Sequence, residues 1–279
     1  MPSIATNIAA NSTLRYLNMN SANQTDTLAK IASGSRIIRA SDDAAGLAVA
    51  TKLSATSVTL GQAATNAAHG ISILETADGG LSNISDILVR MKTLTAQSLS
   101  GAVTNTERAF VDAEFQSLIA EIDSIATSTQ FNGESLLDGN TDWSDGTGVN
   151  FLLGTSTTND TLTINLTDVS ADNLGGDLTG LDVVDQTNAA AAASALETAI
   201  GEIAEARATV GAAMSRFEFR ANNIDVSNEN VDAAKSAIAD ADVAEEQATL
   251  SSYEVLTNAA ISALSKANAM PQQLLSLFQ

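Results

Sequence analysis

Apolar residues recur along most of this chain at alternating steps of three and four. Between Ile4 and Ala32 the positions Ala10, Leu14, Leu17, Ser21, Gln24, Leu28 and Ile31 keep that step. Such spacing puts one side chain per turn on a single coiled-coil seam. Ser21 and Gln24 interrupt the apolar line, so this helix is marginal in water without a partner. Gly34 can end it, and Ser41 or Asp42 can cap the next one. A second helix is expected from Asp43 to Ser100, about 87 Å long if unbroken. Its seam reads Leu60, Ala64, Ala67, Ile71, Leu74, Asp78 and Leu81, then slips in phase to Ile84, Leu88, Met91 and Thr95. Gly70, Gly79 and Gly80 each cost about 1 kcal/mol relative to Ala inside a helix, so tertiary packing must support them.

A third helix is expected over Asn105–Ser128, with Val111, Phe115, Leu118, Ile122 and Ile125 on its seam. A fourth starts near Ala189 and has the cleanest seam. It runs Leu196, Ile200, Ile203, Arg207, Val210, Met214, Phe217, Ala221, Ile224, Asn228, Val231, Lys235 and Ile238. A fifth follows the acidic stretch 240–242, carries Leu250, Tyr253, Leu256, Ala260 and Leu264 on one side, and is expected to stop at Pro271.

The middle breaks the pattern. From Leu136 to Asn188 there is no Lys or Arg; the charged residues are Asp138, Asp142, Asp145, Asp160, Asp168, Asp172, Asp177, Asp182 and Asp185. Asn132-Gly133 marks a turn. The runs 149–153 and 161–166 alternate in polarity around a turn-rich GTSTTND, which reads as a β-hairpin. The expected fold class is therefore mainly α: a long-helix coiled-coil bundle drawn from both chain ends, with a small β-hairpin region in the middle. The expected domains are a discontinuous helical one, 1–42 plus 239–279, and a long-helix bundle, 43–238, whose hairpin tip lies at about 136–188.

Charge narrows the function. The 279 residues include 33 acids and 13 bases, a net charge of −20. Nucleic-acid binding needs clustered Lys and Arg, and anionic membranes attract basic segments, so neither partner is expected. There is no cysteine, which removes disulfides, thiolate metal sites and cysteine nucleophiles. The two prolines, Pro2 and Pro271, stand at the extremes, and aromatics make up 4%. The core is thus expected to be thin and rich in Ala, Leu, Ile and Val, as in helix bundles. No apolar run has the length of a membrane span. The N-terminus lacks the basic and apolar regions of a signal peptide, so the protein is expected to stay inside the cell or to leave by a route without a cleaved signal.

Candidate chemistry is sparse. Asp138, Asn140 and Asp142 have the 1-3-5 spacing of a calcium loop, but Trp143 stands where Gly belongs and Val149 where Glu belongs. A solvated acidic loop is the expectation. His69, the single histidine, lies within the second helix with no motif that marks a nucleophile and an orienting carboxylate. DGTGVNFLLG has the wrong spacing for a phosphate loop. No catalytic residue, metal or cofactor is expected, and the chain is read as a non-enzyme. Arg36 and Arg39 lie close in sequence to Asp42 and Asp43, and a salt-bridge cluster at the bend is expected, each exposed pair worth roughly 0–1 kcal/mol.

Four segments carry a family resemblance. SGSRIIRASDDAAGLAVA (33–50), NAAHGISI (66–73), TQFNGESLL (129–137) and SALSKANAMPQQLLSLF (262–278) occur in order and resemble bacterial flagellins. The match covers the chain up to about residue 137 and again from about residue 190. The intervening segment is too short for the large outer domains of long flagellins. The resemblance implies that the paired end helices form the inner tube of a helical homopolymer, with the long helices outside it. Assembly would then rest on Leu14, Leu17, Leu28, Ile31, Leu250, Leu256 and Leu264, and on the apolar tail residues Leu274, Leu275, Leu277 and Phe278. It also implies export through the flagellum's own type III channel, an extracellular location, and cap and junction proteins and a C-terminal export chaperone as partners. The segment 88–97 resembles the surface that Toll-like receptor 5 binds: Arg90, Leu94 and Glu114 fit, while Val89, Thr93, Thr95 and Ala96 depart from the pattern. The alternatives are a hook-filament junction protein of the same axial structure and a secreted coiled-coil adhesin.

Overall fold

The computed structural model describes residues 6–139, 142–143 and 147–276, with the helical backbone for 271–276. Five helices dominate: α1 (Ile8–Ser33), α2 (Ala44–Leu99), α3 (Asn105–Ser128), α4 (Gln186–Ala239) and α5 (Val243–Ser276). Short strands lie between α3 and α4. β1 (Gln130–Phe131) pairs with β2 (Glu134–Ser135), and β3 (Val149–Leu152) pairs antiparallel with β4 (Thr161–Ile164), Val149 opposite Ile164. Asn132 and Gly133 both take positive φ, 53° and 87°, the backbone a two-residue hairpin needs.

Side chains set the helix ends. Gly34, at φ 69°, closes α1 and sends its N–H to Lys30 O. Asp43, one residue past the expected cap, accepts the Gly46 N–H at the start of α2. Thr104 and Glu107 cap α3 reciprocally, a capping box. Asp185 and Asp242 accept the first free N–H groups of α4 and α5. At the C-terminal end of α2 the buried Arg108 donates to Ser98 O, Ser100 O and Asn105 Oδ1, a cationic cap on carbonyls that would otherwise be unpaired.

Two compact units divide the chain: Met1–Ser57 with Asn230–Gln279, and Val58–Glu229. In the second unit the buried positions of α2 are Leu60, Ala63, Ala67, Gly70, Leu74, Ala77, Leu81, Ile84, Leu88, Met91, Thr95 and Ser98, together with Ile73, Gly80 and Leu94. The main line steps by three and four without a break, so the expected phase slip is absent. Ala63, Gly70 and Ala77 hold the seam where Ala64, Ile71 and Asp78 were expected. Along α4, Ala199 and Ala206 are buried where Ile200 and Arg207 were expected. Small residues at these positions let helix backbones approach closely. The displaced Asp78 and Arg207 pair with each other, Oδ1 to Nε at 2.9 Å. Three rings join hairpin to helices: Trp143 lies 6.0 Å from Phe151, and Phe151 meets Phe217 edge-on at 5.6 Å.

The first unit holds α1 and α5 as an antiparallel pair. Asn7 bonds to Ala267 at one end and Lys30 to Glu246 at the other. The partner that the weak α1 seam requires is thus α5. The expected stop at Pro271 does not occur, because α5 continues to Ser276. Proline has no N–H, so residue 271 cannot donate to Ala267 O four residues back. Asn7 Nδ2 donates to that carbonyl instead, at 2.8 Å, which removes one of the two costs of a proline inside a helix.

Candidate assembly surface

The first unit is closed by a latch at the bend after α1. Arg36 N–H donates to Ala239 O at 2.7 Å, and Ala241 N–H donates to Gly34 O at 3.0 Å, around a β-bridge between Ser35 and Asp240. The Ser35 hydroxyl adds a bond to Ala239 O, and Arg36 Nη2 one to Ile238 O at 2.6 Å. Together they satisfy carbonyls that the end of α4 leaves open.

The expected salt-bridge cluster of Arg36, Arg39, Asp42 and Asp43 is replaced by this arrangement. Arg36 is spent on the Ile238 carbonyl. Arg39 meets Asp26 at 3.7 Å, with both side chains exposed. Asp42 Oδ2 accepts the N–H groups of Ile38 and Arg39, and these backbone donors, that of Arg39 foremost, hold its carboxyl below the usual range. Asp43 caps α2. Backbone donors inside a tight bend are closer to these carboxylates than flexible arginine ends, so the acids cap rather than pair.

The α1/α5 seam follows the same rule as the bundle. On α1 the covered positions are Ala10, Thr13, Leu17, Asn20, Gln24, Thr27 and Ile31. On α5 they are Glu246, Leu250, Tyr253, Thr257, Ala260, Leu264 and Ala267. Of the residues expected to carry assembly, Leu17, Ile31, Leu250 and Leu264 therefore pack within the pair. Leu14, Leu28 and Leu256 do not: they are 44%, 54% and 48% exposed. Ile8, Tyr16 and Met19 on α1, and Val255, Ile261 and Met270 on α5, are also exposed. Sequence reading missed this second apolar set because it looked for one seam per helix. Leu274 and Leu275 lie on the last turns of α5; Leu277 and Phe278 fall outside the described residues.

In the 136–188 segment, aspartates bond to the backbone. Asp160 accepts Ser156 N–H, Asp168 accepts Ser170 N–H and Asp182 accepts Val184 N–H. Asp123 of α3 likewise accepts Ala171 N–H. Asn140 of the calcium-type spacing lies outside the described residues, and Trp143 is buried, its indole N–H reaching Glu134. His69 is exposed on α2. Arg90 forks onto Glu114, with Nε at 2.9 Å and Nη2 at 2.6 Å from Oε1. Leu94 is 2% exposed and belongs to the core with Leu88 and Met91.

Comparison with known proteins places this architecture. A family model described as the bacterial flagellin N-terminal helical region matches residues 4–142, and one described as the C-terminal helical region matches residues 193–278. The flagellin of Listeria innocua is 36% identical over 284 residues, covering 98% of each chain. The flagellin of Bacillus subtilis is 34% identical over 300 residues with the same coverage. The solved structure of Bacillus cereus flagellin is 32% identical with a TM-score of 0.50, over 57% of this chain and 88% of that one. These matches favour a filament subunit over a junction protein or an adhesin. The chain belongs to the bacterial flagellin family and is a structural subunit of the extracellular flagellar filament, not an enzyme.

Proposed function

We infer that the subunit polymerises through the outward faces of its two end helices. One observation carries this reading: the α1/α5 seam places Thr13, Asn20, Gln24, Thr27 and Thr257 among its apolar residues, while Leu14, Leu28 and Leu256 stay outside. A helix pair normally turns its largest apolar residues inward. Contiguous apolar surface left outside marks a contact with another molecule. Burying the exposed half of each such leucine is worth about 1 kcal/mol, roughly half the value for a fully exposed side chain, and a heterologous interface repeats that gain along a filament. The terminal helices then form the inner tube and the long-helix bundle the layer outside it. The apolar tail residues Leu274, Leu275, Leu277 and Phe278 are part of this proposal as further area for assembly to bury. The 136–188 segment faces solvent at the tip, since its acids and lack of bases would set like charges together at a subunit contact.

The remaining roles follow from the family. In this reading the subunit leaves through the flagellum's own type III channel, meets an export chaperone at its C-terminal region, and adds between junction and cap proteins. A Toll-like receptor 5 contact is not part of this reading: Leu94 is in the core, and Arg90 and Glu114 satisfy each other.

The test is seeded polymerisation followed by electron microscopy and sedimentation. Wild-type chain is expected to extend filament seeds. The Leu14→Glu/Leu28→Glu variant is expected to stay soluble while keeping its helicity. Extension by that variant at the wild-type level would contradict the reading.

A further inference from the structure

We propose that Asn7 sets the register between the two end helices at the end farthest from the latch. The proposal rests on the reading that these helices carry assembly, and it names what positions them. Asn7 Oδ1 accepts the Ala10 N–H at 3.0 Å and so caps α1. Its Nδ2 donates to Ala267 O at 2.8 Å. That carbonyl needs an outside donor because Pro271, four residues on, has none. α5 nevertheless runs through Pro271 to Ser276.

A carboxamide presents an acceptor and a donor on one short stem. Aspartate or serine would cap α1 equally well, but aspartate cannot donate and serine is too short to replace the Nδ2 reach. The pairing is also singular in position. Pro271 is the only proline of the chain within a described helix, so α5 offers this vacancy at one level. Near Asn7 the covered residues are small or polar, Ala10 and Thr13 on α1 and Ala267 on α5. Such residues restrict sliding weakly, because shifted registers bury similar surface. An interhelical hydrogen bond that fits one register breaks in every other. Together with the latch, Asn7 thereby fixes which outward residues of α1 and α5 stand side by side, and that joint surface is what a neighbouring copy meets.

The experiment compares four full-length chains: wild type, Asn7→Ser, Pro271→Ala and the double variant. The critical concentration for seeded polymerisation is the readout, with helicity and the protease resistance of residues 58–229 as checks on folding. Asn7→Ser keeps the cap and loses the donor. It is expected to raise the critical concentration about tenfold, the scale of one buried carbonyl left unpaired. Pro271→Ala gives Ala267 O its own helical donor, removes the vacancy that Asn7 fills, and is expected to raise the critical concentration by a similar factor. In the double variant no further rise is expected, because both changes remove the same bond. Rescue of Asn7→Ser by Pro271→Ala would assign the penalty to the unpaired carbonyl alone, and that result, or a wild-type critical concentration for Asn7→Ser, overturns the proposal. Failure of the wild-type chain to extend seeds would instead contradict the assembly reading on which it rests.

Discussion

The ring of Phe217 occupies the space that a β-carbon at Gly70 would need. Gly70 sits on the buried seam of α2, and Phe217 on α4 is fully buried and meets Phe151 of the hairpin edge-on. The glycine that weakens α2 locally is thus what lets an aromatic ring bridge helix and hairpin. Gly70→Ala is expected to destabilise the monomer by about 1–2 kcal/mol, because overpacking of about 1–3 kcal/mol outweighs the gain of helix propensity. At Gly79 nothing lies within 4 Å of the β-carbon position. Gly79→Ala is therefore expected to stabilise by up to about 1 kcal/mol. Thermal unfolding of the two variants checks the opposite signs.

Arg108 is 6% exposed and bonds to two backbone carbonyls at the end of α2. Its truncation leaves buried acceptors without donors. Arg108→Ala is expected to cost about 2–3 kcal/mol, read by denaturant unfolding, whereas truncating the exposed Lys92 is expected to cost little.

The Glu107 carboxylate accepts the backbone N–H and then the hydroxyl of Thr104, and these bonds hold its pKa below 4.5 in the folded chain. A lowered folded pKa means that the stabilisation is complete above the unfolded value and disappears as pH falls through the folded one. The stability difference between wild type and Glu107→Gln is therefore expected to shrink below pH 4.5. Melting temperatures of both chains across an acid series test this. A difference that grows with acidity would contradict it.

The loop between β3 and β4 is closed by Ser156 and Asp160, each bonding to the other. Thr157 and Thr158 between them are exposed. A short epitope inserted after Thr157 is expected to leave assembly intact and to be labelled by antibody along whole filaments. Loss of assembly with the monomer still folded would make this loop an interface.

Much of the helical layout was legible in the sequence. The extent of α3, the turn at Asn132-Gly133 and the β3–β4 hairpin follow from caps, Gly and alternation, which act over a few residues. Seam phase was not legible. At Thr13 against Leu14, Gly70 against Ile71, Ala199 against Ile200 and Thr257 against Leu256, the structure covers the smaller side chain. Hydrophobicity favours the larger residue at each pair, but the spacing between helix backbones decides which one fits. The uses of Arg36, Asp42 and Asp43 were hidden for a related reason: their partners are backbone groups, some of them distant in sequence. The donor that meets the Ala267 carbonyl left open by Pro271 belongs to Asn7, at the opposite end of the chain, and no local rule could supply it.

Helical reconstruction of filaments grown from the wild-type chain by electron cryomicroscopy tests the central claim most directly. Leu14, Leu28 and Leu256 are expected at small radius, buried between neighbouring copies, with Thr157 and Thr158 on the outer surface. A reconstruction in which these leucines face solvent and the copies join through the 136–188 segment would contradict the account.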